Sequence, residues 1–190
     1  AEIGIESLKI EGRMKPPEYS LYASRLYKAI LEKRPDSEIA ELKRNLALIY
    51  ERYNSTCYFG HVKGSDLICN RYASHKGIEL GTVLRTFRQG FTIRLNNTLS
   101  IKDGLMFFES ADAIEPYKFS VSTIKNSSGR ETKWLEAGEI AEIAVEKVPP
   151  KGTTIFQISH RNLDLKNINE AALPCYFVNT SVHAEISEDG

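Results

Sequence analysis

Apolar positions fall into two rhythms along this chain. From Tyr19 to Tyr53 they return every three or four residues; from Cys57 onward they return every second residue in short runs. Ahead of the first rhythm, Ile3 to Ile10 is β-compatible and predicts one strand, with Lys9, Glu11 and Arg13 on one side and Leu8 and Ile10 on the other. Pro16-Pro17 predicts a helix start, where a missing N–H costs nothing. Tyr19, Tyr22, Ala23, Leu26, Tyr27 and Ile30 form its apolar stripe, and the helix stops before Pro35. Asp36-Ser37 predicts the N-cap of a second helix with Ile39, Leu42, Leu46, Ile49 and Tyr53 facing inward, until Asn54-Ser55-Thr56 breaks it.

The second rhythm runs through "CYFGHV", "ELGTVLRTF", "FTIRLN", "GLMFFE", "YKFSVSTI", "EIAEIAV" and "TTIFQI". Turn signals such as Arg88-Gln89-Gly90, Lys102-Asp103-Gly104, Ser127-Ser128-Gly129 and Pro149-Pro150-Lys151-Gly152 separate these runs. Regular spacing of this kind predicts a small antiparallel β-barrel rather than βαβ units. A polar linker, "DLKNINEAALP", then leads to one alternating run from Cys175 to Ile186. A single strand after a linker cannot be stable alone, so the pattern predicts a piece of a larger protein.

With 25 basic and 25 acidic residues in 190, the chain has no net charge, which argues against wholesale coating of nucleic acid. Cys57, Cys69 and Cys175 form no CxxC pair, and an odd, widely spaced set is not a disulfide framework, so cytosolic thiols are expected. No apolar run approaches the roughly 20 residues that cross a bilayer. His61, His75, His160 and His183 show no metal-binding spacing, and no nucleophile elbow is present; no metal site is expected, and packing or surface roles are expected for the histidines. Arg71, His75, Lys76, Arg85, Arg88 and Arg94 are interleaved with Tyr72, Phe87 and Phe91, with only Glu79 as local compensation. Basic groups beside exposed aromatics suit a nucleic-acid backbone and stacked bases, whereas strand faces also carry Arg for solubility.

The stretch "SLKIEGRMKPPEYSLYASRLYKAI" resembles the segment that closes the catalytic barrel of peptidase family U32, the collagenase-like proteases, in Lys9 to Lys15, Pro17, Glu18 and Tyr19. Ile10 to Arg13 also spell a common engineered protease site, but the pattern continues on both sides of Met14 and sets that reading aside. Arg52, Ser55 and Tyr58, then Lys76, Gly77, Leu80, Gly81 and Val83, are similar to the family's post-barrel segment and its entry into a β-domain; Asn54 and Cys57 depart from it.

The resemblance implies an α+β architecture. Residues 1–35 would be the last strand and helix of the catalytic barrel, 36–56 a connecting helix, and 57–165 a β-barrel similar to translation-factor domain 2. Residues 166–190 would be a linker and the first strand of a following domain. It implies that Glu11 and Arg13 face the mouth of the catalytic barrel, where Arg13 could hold a carboxylate or phosphate bidentately. It implies no cofactor in this piece, an iron–sulfur cluster in an upstream domain of the parent, and a cytoplasmic, non-membrane protein. The parent would be an RNA hydroxylase acting on structured RNA, or alternatively a collagenase-like peptidase whose barrel docks peptide. In both cases the piece alone would be catalytically inert, with the catalytic domain of the same chain as its partner.

Overall fold

The computed structural model describes Gly4, residues 6–52, 72–110 and 112–163, and Ser181. The runs expected around Cys57 and Cys175, all three cysteines, Arg71, Ser55, Tyr58, His61 and His183 lie outside the described residues.

Residues 6–10 form no strand, because no described segment pairs with them in a ladder. A turn in which Lys15 N–H donates to the Gly12 carbonyl, with Met14 at φ 59°, leads into helix α1, Pro17–Leu31. Pro17 occupies its first position, as expected. The helix ends in a Schellman turn: Lys33 takes the left-handed conformation, its N–H donates to the Ile30 carbonyl, and Arg34 N–H donates to that of Ala29. Helix α2, Asp36–Ile49, packs on α1. Its N-cap is Pro35 rather than Asp36, which lies in the first turn and places its charge at the positive end of the helix. Ala23, Leu26 and Ala29 of α1 and Leu48 of α2 are buried, whereas the predicted stripe of Ile39, Leu42, Leu46 and Ile49 is only half-buried.

The remainder is an antiparallel sheet. Its strands are β1 (Ile78–Phe87), β2 (Gly90–Arg94), β4 (Gly104–Phe107), β5 (Tyr117–Ser120), β6 (Ile124–Lys125), β7 (Glu131–Thr132), β9 (Ile140–Ala144) and β10 (Thr154–Ser159). The order is β5-β4-β10-β1-β2-β9-β6-β7, and β3 (Leu99–Ser100) pairs separately with β8 (Trp134–Leu135). The first half of β1 pairs with β10 and the second half with β2, with bulges at Glu79/Gly81 and Val83/Arg85 that turn the strand. The sheet therefore curls into a half-barrel. It does not close into the expected barrel: β5 and β7 lie at opposite ends of the strand order and are not paired with each other.

Alternation works as the sequence requires. Phe91 and Ile93, Leu105 and Phe107, Ala141 and Ile143, and Ile155 point into one core with Leu80, Val83 and Ile124. The Lys76-Gly77-x-x-Leu80-Gly81-x-Val83 motif now has a physical reason. Gly77, at φ +67°, lies so close to the Gln157 backbone that a Cβ would meet its carbonyl, and Gly81 faces the Arg94 carbonyl in the same way.

One polar group is built into this core. Asp103 is fully buried in the β3–β4 turn, and its carboxylate accepts from Ser100 N–H at 2.8 Å, Gln157 Nε2 at 2.9 Å and Arg161 N–H at 3.1 Å. Its remaining partner is His160 Nδ1, 2.9 Å from Oδ2. A carboxylate satisfied by this many donors ties the turn to the end of β10.

Candidate substrate-positioning surface

The opening corner gathers its three charges. Lys9 Nζ lies 2.8 Å and Arg13 Nε 3.2 Å from the two oxygens of Glu11. Both cations are largely exposed, and such pairs contribute little to stability. The cluster keeps one positive charge in excess, and Glu11 is held between Lys9 and Arg13.

The basic run separates into different places. His75 is a joint between the helices and the sheet: Glu51 N–H donates to Nδ1 at 2.9 Å, so Nε2 carries the proton and donates to the Ile158 carbonyl at 2.8 Å. Its ring stacks on Tyr50, which meets Tyr19 edge-on and carries the Lys15 ammonium 3.2 Å from its ring centre. A hydrogen bond from Lys15, assisted by Arg52, holds the Tyr50 phenol below its ordinary pKa.

Arg85 and Arg94 project from the outer face of the sheet. Register places Arg85 opposite Thr92, Thr92 opposite Glu142, Glu142 opposite Lys125, and Lys125 opposite Glu131. This row alternates in sign, with a Lys125–Glu142 pair at 3.7 Å, so the compensation lacking in the local sequence comes from β9 and β7. Arg94 donates to the Gly138 carbonyl. Arg88, at the β1–β2 turn, lines a cavity of about 570 Å³ with Phe87, Lys125, Glu131 and Glu142. Of the aromatics in this run, Phe91 is in the core and Tyr72 is buried, leaving Phe87 as the exposed one. The run is not one exposed aromatic–basic patch.

A different aromatic–basic surface forms on the outer face of β10. Tyr72, Phe108 and Phe156 pack edge-to-face around a groove of about 470 Å³, at whose wall Lys76 Nζ sits 4.5 Å from the Phe156 ring centre. Lys118 lies over Tyr72. Phe108, Phe156 and Lys118 escaped the sequence reading because they belong to three strands or loops that only the pairing β5-β4-β10 brings together.

The comparison with family models addresses the helical half. The model described as Peptidase family U32 matches residues 1–68. Over these residues the chain is similar to that family. Two solved structures of the C-terminal domain of a Geobacillus thermoleovorans protein assigned to the U32 peptidases, one a selenomethionine variant, also match. They share 16% and 18% identity and cover 42% and 41% of this chain and 91% and 96% of theirs, with TM-scores of 0.36 and 0.37. No curated protein matches the chain. The U32 segment thus holds Glu11, Arg13 and both helices, while the sheet with its aromatic groove lies beyond the match.

No group of three His, Cys, Asp or Glu able to hold a metal ion occurs among the described residues. No helix among them is long and apolar enough to cross a membrane.

Proposed function

We propose that this chain is the substrate-positioning C-terminal region of a cytoplasmic U32-type enzyme that acts on structured RNA as an iron–sulfur hydroxylase. Glu11 and Arg13 border the mouth of its upstream catalytic domain, and the curled sheet holds the RNA. The observation that carries this reading is the groove of Tyr72, Phe108 and Phe156 with Lys76 at its wall. A flat base stacks on the half-buried Phe108 or Phe156 ring in the groove, and the ammonium meets the adjoining backbone charge. The U32 match over residues 1–68 supports this reading of the corner; in it, the cluster sits in the upstream domain.

The test is RNA affinity of the full-length protein. Phe108→Ala with Lys76→Gln weakens binding about tenfold or more, since one stacked base is worth about 1–3 kcal/mol. Arg85→Glu with Arg88→Glu and Arg94→Glu gives a smaller, salt-dependent loss. Unchanged affinity in both variants overturns the reading.

The family's description favours a second reading, a peptidase whose groove takes an apolar peptide side chain. A brown full-length protein containing iron and sulfide supports the hydroxylase. A colourless, metal-free protein that cleaves gelatin supports the peptidase.

A further inference from the structure

Beside the aromatic groove, on the same outer face of β10, lies a second groove of about 380 Å³. Phe156 opens the first and Ile158 the second, two residues and about 7 Å further along the strand. The Glu51–His75–Ile158 link runs between them: Lys76 is in the wall of one groove, and Leu48 and Ile49 are in the wall of the other.

Four charged or titratable side chains line this second groove: Lys102, His160 and Arg161 from the sheet, and Glu18 from α1. The side chains of Lys102 and Arg161 make no ion pair among the described residues, and both residues are exposed. His160 differs in kind. Its side chain is only 15% exposed, and the Asp103 carboxylate holds Nδ1, which therefore donates and fixes the ring. Nε2 is left without a hydrogen-bond partner among the described residues, on a ring that lines the groove. A buried carboxylate fixes the imidazole, and Lys102 and Arg161, which carry no ion pair among the described residues, line the same groove. Glu18 is the single opposing charge.

We propose that this groove binds a phosphate group, held by Lys102, Arg161 and Nε2 of His160, with Asp103 as the positioning residue behind the imidazole. The phosphate is either a backbone phosphodiester, in which case this site deepens the RNA reading, or a free phosphate or phosphomonoester.

The experiment titrates the full chain with inorganic phosphate and with a short single-stranded RNA, each by calorimetry, in the wild type and in Lys102→Gln/Arg161→Gln. The two substitutions are at exposed positions and leave the Asp103 network intact. Phosphate binding that weakens about tenfold or more in the double variant supports the site, since each charge-assisted contact is worth roughly one decade. RNA binding that falls in parallel supports the phosphodiester source, whereas phosphate binding without RNA binding supports the free-phosphate source and counts against the RNA reading alone. If neither probe binds the wild type, or the double variant binds both as well as the wild type, the site is overturned. RNA binding lost in the Phe108→Ala/Lys76→Gln variant but kept in Lys102→Gln/Arg161→Gln overturns this site and leaves the RNA reading standing.

Discussion

The helical pair and the curled sheet are held together by different means. The sheet buries fifteen apolar side chains in one cluster and fastens its end with a fully buried carboxylate. The helices bury four and leave Tyr27, Ile30 and Leu31 exposed, as are Leu8 and Met14 ahead of them; residues 8–11 line a cavity of about 570 Å³ together with Tyr19, Leu26, Leu46 and Tyr50. Helices this short are marginal without tertiary packing. Part of that packing comes through Tyr50, His75 and β10, so the helical pair also leans on a sheet that lies outside the family match.

That dependence can be broken from either side. Asp103→Ala strips the acceptor from Ser100 N–H, Arg161 N–H, Gln157 and His160 at once. It destabilises the sheet by about 3–5 kcal/mol, read by chemical denaturation, and takes the helices with it. His75→Ala removes the acceptor of the Glu51 N–H and the donor to the Ile158 carbonyl and costs about 1–3 kcal/mol locally. Hydrogen exchange then speeds up about ten- to a hundredfold in α2 while β2 and β9 stay protected. Equal acceleration in both regions would show that the two form one cooperative unit.

Lys33→Gly relieves a left-handed side-chain residue at the end of α1 and stabilises the helical pair by about 0.5 kcal/mol, visible as a small rise in its melting temperature. The smallest effect is at Tyr50. Its lowered pKa means that the folded protein favours the phenolate, so the added stability is present above the ordinary tyrosine range and is lost as pH falls through the lowered value. Phenolate absorbance should show Tyr50 titrating early, and Lys15→Gln should return it toward its usual range.

The α1 start and the main strands were legible because they rest on short-range rules: proline at a helix start and alternation along a strand. The Gly77 and Gly81 motif came from the family resemblance alone, and only the structure gave its physical reason. What escaped rests on distance in sequence. Asp103 reads as a turn residue and His160 as a packing residue; only the β4–β10 pairing makes them partners. The charge row across Arg85, Glu142, Lys125 and Glu131 escaped for the same reason, and with it the neutral character of that face. β3, β7 and β8 have two residues each, too few for any period to show. The opening run failed as a strand because alternation supplies a face but not a neighbour.

Because the curled sheet stops short of closure, it ends in two rims, β5 and β7, where backbone donors and acceptors face outward without a second described neighbour. Such rims invite a foreign chain to zip on. Here one is four residues long with Lys118 on it, and the other is two residues long with Glu131 on it. Brevity and charge make both poor templates for a foreign strand, and a longer, uncharged β7 would make a better one.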